Sequence, residues 1–252
     1  MNTISKKAQI GNNVKIGDYT VVEDNVQIGS NVEIGSNVLI GYGARISDNV
    51  KIHHGAVVSS IPQDLKFKGE DSVLLVGEGS IIREYATLNR GTVYSGKTTI
   101  GKNCLIMAYA HVAHDCIIGD SVILANSANL GGHVQIDEWA IIGGLSGIHQ
   151  FCKIGKHSIL ATHSRVVKDV PPFITAGNYP LKFEGLNLIG LQRRGFTAKQ
   201  IKLINDVYDI IYKSKFNFGD AVKLVEEKFE HDEIVDNILN FIKSSERGIL
   251  RN

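Results

Sequence analysis

An aliphatic side chain recurs at every sixth position of this chain. The run starts at Ile4, Ile10, Ile16 and Val22 and continues to Val58. It resumes at Val76, Ile82 and Leu88, and again from Ile100 through Ile106, Val112 and Ile118 to Val166, so that twenty-five positions share one register. Glycine often follows the aliphatic residue (Gly11, Gly17, Gly101, Gly119, Gly155). A small or β-branched residue stands four places after it (Val14, Thr20, Ala86, Ala110, Ala128). A period of six fits neither the 3.6 of a helix nor the two of a simple strand. Hexad repeats are read as a parallel β-helix, with three hexads to a triangular coil of about 18 residues. The aliphatic residue points inward, the small one packs near the corner, and glycine permits a turn that a Cβ would obstruct.

Two gaps interrupt the hexads without losing register. Residues 59–75 contain IPQDLKFKGEDS and read as a loop thrown out of the coil; residues 91–99 read as a smaller protrusion. Loops leaving a rigid scaffold commonly serve binding or assembly. The pattern stops at KDVPPF, where two prolines are expected to end the ladder. Beyond it, TAKQIKLINDVYDIIYKS, NFGDAVKLVEEKFEH and DEIVDNILNFIKSS space their apolar residues as helices do, with Thr197 and Asn217 as N-caps. The expected organisation is a β-helix over 1–186, with 59–75 protruding, and a helical unit over 187–252 that caps the solenoid.

Composition narrows the function. Lys+Arg 27 against Asp+Glu 26 leaves a formal charge of +1, without the basic excess of a nucleic-acid binder. No segment approaches the ~18 apolar residues of a membrane span, and MNTISKKAQIGNN lacks the apolar run of a signal peptide. Cys104, Cys116 and Cys152 form no Cys-x-x-Cys pair, which fits a reducing cytoplasm. All three fall at the small-residue position of their hexads and read as core thiols, neither ligands nor nucleophiles.

Chemistry concentrates in AHVAHDCIIG, residues 110–119. Residues 18 apart stack about 4.8 Å apart in such a coil. Divided by 18, His114 leaves 6, His133 leaves 7 and His149 leaves 5, so the three are expected on one face of successive coils. His111 leaves 3, and Asp115 leaves 7. A neutral imidazole suits general-base chemistry near neutral pH, and a carboxylate on its other nitrogen sets the tautomer. Zinc bound by three histidines is the rival reading; its ligands normally lie closer in sequence than these. His53, His54, His157 and His163 show no partner pattern and are expected at the surface. Asp64 and Lys66 place an acid and a base on the long loop, and Arg193 and Arg194 form an adjacent pair suited to gripping a diphosphate.

HVAHDC at 111–116, IPQDLKFKGE at 61–70, GGHV at 131–134, IHQFC at 148–152, DVPPF at 169–173 and GLQRRGF at 190–196 together resemble the acyl-carrier-protein–UDP-N-acetylglucosamine O-acyltransferases of lipid A biosynthesis. The resemblance covers nearly the whole chain. It implies a left-handed parallel β-helix, a homotrimer with sites between neighbouring subunits, and transfer of a 3-hydroxyacyl group from acyl carrier protein to the 3-position of the UDP-sugar. It also implies that no metal or cofactor takes part. His114 matches the family's base, Asp115 its orienting acid, and Gly132 the backbone donor to the oxyanion. By the same matching, Asp64, Lys66, His111, His133, His149 and Gln150 contact sugar or acyl donor, while Asn187, Arg193 and Arg194 hold the diphosphate. Two positions depart from the pattern. Ile189 replaces a glutamate frequent near the nucleotide. Thr162 stands where long-chain enzymes have glycine, which implies a shorter acyl chain. Whether the acceptor carries a 3-hydroxyl or a 3-amino group is left open. Lys153, Lys156, Arg165 and Lys168 offer cations to the acidic carrier protein.

Other readings are a related hexapeptide transferase (the N-acyltransferase acting later in the same pathway, or a coenzyme A-dependent acetyltransferase) and a non-catalytic β-solenoid. The N-acyltransferase usually carries an extra N-terminal domain, whereas hexads here begin at Ile4. A passive solenoid predicts flat rows of one polar residue, not a loop, a histidine column and an arginine pair.

Overall fold

The inward aliphatic residues build a left-handed parallel β-helix with three faces. The computed structural model describes residues 1–229 and 232–251; Glu230 and His231, at the end of the second expected helical stretch, and Asn252 lie outside them. Each coil gives one short strand, mostly of two residues, to each of three sheets of nine, eight and ten strands. Strands pair in parallel at an offset of 18, as in Val21↔Leu39 and Ile117↔Gln135. Each strand N–H donates to the next coil, for example Lys15 to the Val32 carbonyl at 2.9 Å. From Val22 onward the register residues are buried, as are the small residues Val26, Ala110 and Ala128. The three cysteines are buried among them. Only the first coil leaves its register residues open, Ile4 and Ile10 each being 40% exposed.

The hexad glycines act differently from expectation. The left-handed corner residue is not the glycine but the residue two places after it, and it is seldom glycine: Asn13, Asn25, Asp115, His133, Trp139 and Phe151 all have φ between 56° and 64°. Asparagine and aspartate accept this conformation most readily; for bulky side chains it costs roughly 1–2 kcal/mol, which the surrounding ladder must offset. Glycine is needed because coils approach closely. A Cβ at Gly11 would stand 2.7 Å from the Gly29 carbonyl carbon, and one at Gly119 would stand 2.6 Å from the Glu138 nitrogen.

Both insertions leave the same corner, between the first and second sheets, on consecutive coils. Ser60 ends a first-sheet strand and Val73 begins a second-sheet strand; Asn89 and Lys97 do the same one coil on. The residues between are extra, and the pairing resumes in phase, with Val58 opposite Leu88 and Val76 opposite Ile100.

Pro171 and Pro172 do not end the sheet. Ile174–Gly177 adds a parallel strand beside Ile159–Leu160, and Lys182–Leu186 returns antiparallel to it. Among the described residues four α-helices follow instead of three: α1 (Leu188–Arg193), α2 (Ala198–Tyr208), α3 (Phe218–Lys228) and α4 (Glu233–Lys243), with a π-helical turn Asp209–Lys213 continuing α2. The additional helix is the short α1 in GLQRR. Thr197 caps α2 through a reciprocal capping box with Gln200, and Asn217 caps α3. The helices close the C-terminal end of the coil. Tyr208 donates its buried hydroxyl to the Pro172 carbonyl at 2.7 Å. Buried Asp169 accepts from the Lys153 N–H at 2.7 Å and the Ser245 hydroxyl at 2.5 Å.

Candidate active site

The corner that carries both insertions continues upward through His114–Asp115, Gly132–His133 and Gln150–Phe151. His111 and Val112 form the first-sheet strand entering it, and Ile117 and Ile118 the second-sheet strand leaving it. Asp115 stands at the left-handed turn, and its carboxylate is covered by the protrusion at Thr92 and Ser95, which leaves the side chain 0% exposed. His114 Nδ1 lies 2.8 Å from Asp115 Oδ2. Burial alone would push the Asp115 carboxyl up, but hydrogen bonds from Ser95, Thr92 and His114 prevail and hold it at about 2. The carboxylate therefore stays anionic near neutral pH. It faces His114 Nδ1, and the other ring nitrogen, Nε2, lies on the far side of the ring from it.

One coil above, Gly132 makes room for the His114 ring: a Cβ there would meet His114 Cε1 at 2.6 Å and Nε2 at 2.8 Å. The His133 ring packs edge-on against His114 at 5.0 Å, and its Nδ1 is 3.9 Å from Asp115 Oδ2. That Nδ1 is buried and has no hydrogen-bond partner among the described residues. Phe151 stacks on His133 at 4.3 Å and 3°, and Tyr94 from the short protrusion closes over its edge at 4.5 Å. Burial lowers the His133 imidazole below its ordinary value; charges on Asp115 and Asp64 oppose the shift. His114, Asp115 and His133 present ligand-type atoms within 4.8 Å of one another. The aspartate oxygens are already taken by hydroxyl and amide donors, which suits a hydrogen-bonded dyad better than a metal ligand.

The remaining expected residues separate into groups. Asp64 and Lys66 ride on the long loop, where Asp64 Oδ1 accepts from the Lys66 N–H at 2.9 Å. The loop is anchored at its base by Arg90, whose buried guanidinium lies over the rings of Tyr42 and Phe67. His111 is half-buried and pairs through Nδ1 with the Thr87 hydroxyl at 2.8 Å; burial lowers its pKa. His149 is not stacked with His114 and His133. It is exposed, its Nδ1 sits 3.1 Å from the Gln150 carbonyl, and Phe151 occupies the place in the column that arithmetic gave to it.

Asn187, Ile189, Arg193 and Arg194 lie at another corner, between the second and third sheets. There they line a cleft of about 1270 Å³ with Trp139, His157 and Phe196. Asn187 is spent on structure: Oδ1 caps α1 at the Gly190 N–H and Nδ2 donates to the His157 carbonyl. Arg194 lies over the Trp139 ring at 5.0 Å with Nη1 unpaired, and Arg193 is exposed. His157 is not a surface residue. It is 8% exposed between Trp139, Phe173 and Phe196, and burial, with Arg194 and Lys156 nearby, lowers it to about 4. Thr162 is exposed at the third corner, one coil above Gly144. Of the four cations suggested for an acidic partner, Lys153 donates to the Ser244 carbonyl and Lys156 rests over Phe173. Arg165 and Lys168 line a small pocket with Lys182 and Arg251.

Sequence reading missed Thr92, Tyr94, Ser95 and Phe151. Phe151 was within reach, since it shares its remainder with His133. The other three lie in an insertion, where counting by 18 has no meaning.

The coil, its corner insertions and the histidine–aspartate pair define a hexapeptide-repeat transferase. Residues 7–42 and 97–132 match the family model of the bacterial transferase hexapeptide (six repeats). Residues 169–250 match that of UDP N-acetylglucosamine O-acyltransferase, domain 2. A relative from Chlorobaculum parvum, an acyl-[acyl-carrier-protein]–UDP-N-acetylglucosamine O-acyltransferase, is 54% identical over 97% of this chain and 93% of its own. A second of the same name, from Sulfurihydrogenibium, is 48% identical over 98% and 91%. Among solved structures, the UDP-N-acetylglucosamine acyltransferase of Francisella novicida superposes with a TM-score of 0.96 at 38% identity, covering 100% of this chain and 92% of that one. The Bacteroides fragilis enzyme gives 0.95 at 42% identity, covering 99% and 98%. This chain belongs to the acyl-[acyl-carrier-protein]–UDP-N-acetylglucosamine O-acyltransferase family.

Proposed function

We propose that this protein transfers a 3-hydroxyacyl group from acyl carrier protein to the 3-position of UDP-N-acetylglucosamine or its 3-amino analogue, as the first step of lipid A biosynthesis in the cytoplasm. The observation that carries the mechanism is the His114–Asp115 pair at 2.8 Å, with the His114 ring lying over Gly132. His114 Nε2 removes the proton from the acceptor's 3-substituent as that atom attacks the thioester carbonyl. The oxyanion of the tetrahedral intermediate takes a hydrogen bond from the Gly132 N–H, which donates to no backbone carbonyl among the described residues. Collapse breaks the carbon–sulfur bond, and the imidazolium returns its proton to the departing thiolate. Asp115 fixes the imidazole throughout.

Three corners of one rod cannot face one substrate, since each points away from the others. A homotrimer with parallel rods would bring the His114 corner of one subunit against the Arg193–Arg194 cleft of the next. This assembly accounts for a dyad and a diphosphate-type arginine pair lying on different corners of one chain. In it, His111, His133, His149, Gln150, Asp64 and Lys66 contact sugar or acyl donor, and Arg193 and Arg194 hold the diphosphate. Asn187 acts by shaping α1. The Thr162 side chain shortens the acyl groove. The β-helix of 1–186 carries the chemistry, and 187–252 caps it. No helix among the described residues is long and apolar enough to cross a membrane.

The test is a transfer assay with purified protein, both acceptor sugars and a ladder of 3-hydroxyacyl carrier proteins. Product from one sugar at a preferred short chain length is expected. His114→Ala should abolish turnover while leaving fold and assembly unchanged. Retained turnover in that variant would remove His114 as the base, and no product from any pairing would overturn the transfer reaction itself.

A further inference from the structure

The short protrusion between Asn89 and Lys97 is an interruption in an otherwise strict repeat. It bends back onto one side chain of the following coil. Asp115 Oδ1 accepts the N–H groups of Thr92 at 3.1 Å and Ser95 at 3.2 Å, and also the Ser95 hydroxyl. Oδ2 accepts the Thr92 hydroxyl at 2.6 Å and faces His114 Nδ1 at 2.8 Å. The Asp115 backbone N–H is fixed separately, by the Thr98 hydroxyl at 2.8 Å.

We propose that Thr92 and Ser95 are positioning residues for the transfer reaction, gripping the Asp115 carboxylate so that its one remaining direction of hydrogen bonding points at His114 Nδ1. The proposal rests on the reading of His114 as the base and Asp115 as its orienter. A carboxylate has about four lone-pair sites. Three donors crowd Oδ1 and a fourth occupies Oδ2, so rotation about the Cβ–Cγ bond would break several bonds at once. Without the clamp the carboxylate could swing toward His133, whose buried Nδ1 is unpaired 3.9 Å away. The clamp thus selects one histidine of two. The other groups bearing on the pair are His111, whose imidazole senses the His114 charge, and Asp64, which acts on His133. The protrusion is itself held, with the Val93 N–H on Glu70 Oε1 and the Tyr94 N–H on the Thr92 hydroxyl.

The experiment compares Thr92→Val, Ser95→Ala, the double variant and the conservative Thr92→Ser. It measures kcat and KM in the transfer assay and nitrogen NMR of histidine-labelled protein, with His114 assigned by difference from His114→Gln. We expect kcat to fall about tenfold in each single variant and about a hundredfold in the double, the scale on which outer partners of functional histidines act. KM for the sugar should stay within about twofold and Thr92→Ser should recover most activity. The His114 signal should move from a single Nδ1–H tautomer toward a mixture. A folded double variant with wild-type kcat and an unchanged tautomer would overturn the proposal. The tautomer reading needs no turnover, so it decides the clamp even if the transfer assay rejects the proposed reaction. Should the double variant unfold, Thr92→Val against Thr92→Ser decides it.

Discussion

The His114 ring lies over the α-carbon of Gly132, one coil above, so closely that a single methyl at 132 would stand 2.6 Å from Cε1. The Gly132 backbone is not in the left-handed region, so alanine meets no backbone strain there. Gly132→Ala should therefore act on the ring and not on the fold. A displacement of about 1 Å at a reacting group can cost about a hundredfold in rate. We expect kcat to fall by about that factor, with a change in thermal midpoint equivalent to less than ~1 kcal/mol. Wild-type kcat in this variant would show that the ring position is not critical.

His157 gives the fold a dependence on pH. Its pKa in the folded chain is lowered from 6.5 to about 4 by burial and by Arg194 and Lys156. Above 6.5 both folded and unfolded forms carry it neutral. Between 6.5 and about 4 the unfolded chain takes up a proton that the folded chain refuses, so stability falls as pH falls across this window. The full shift corresponds to roughly 3 kcal/mol. Urea unfolding at pH 7 and pH 4.5 should show a smaller loss in His157→Gln than in the parent. Equal losses would mean that His157 is not the group responsible.

The cysteines should be chemically silent. Burial pushes Cys104 up to about 11, Cys116 to about 12 and Cys152 to about 11, and the reactive species is the thiolate. Native protein at pH 8 should take up almost no thiol reagent over an hour, while protein in denaturant should take up three equivalents. Prompt labelling of native protein would place at least one thiol outside the core.

The cap can be weakened at one bond. Tyr208→Phe removes a buried hydroxyl and strands the Pro172 carbonyl that accepts from it. Leaving a buried acceptor unpaired costs about 1–3 kcal/mol. The variant should unfold at a lower urea midpoint with kcat little changed, because Tyr208 is buried in the cap and, among the described residues, its hydroxyl bonds only the Pro172 carbonyl. An unshifted midpoint would mean that the hydrogen bond contributes no net stability.

The coil was legible because its cause is strictly periodic: a triangular cross-section admits one inward side chain per edge, and Ile118, Leu124 and Leu130 declare it. The same counting put Asp115 and His133 in one column, which the ring and carboxylate distances bear out. It failed for His149, since a shift of two places around a corner turns a side chain outward and leaves Phe151 in the stack. It failed again at Pro171 and Pro172, because they stand at a corner of the last coil, just before the chain re-enters the third sheet at Ile174. The burial of His157 was not legible because nothing in its sequence neighbourhood shows that Phe196, thirty-nine residues on, folds back over it. Thr92 and Ser95 were hidden for the same kind of reason: their partner is set by where an irregular loop lands.

The two insertions depart from one corner and return in phase, leaving every inward residue where it was. Tolerance to change is therefore distributed unevenly along each hexad. A substitution at Val112 or Ile118 disturbs all three faces at once, whereas one at residue 94, 151 or 162 is felt by a single ladder of corners. Such a molecule can alter what it accepts by lengthening a loop or exchanging a corner side chain, while the spine that keeps it folded is inherited unchanged.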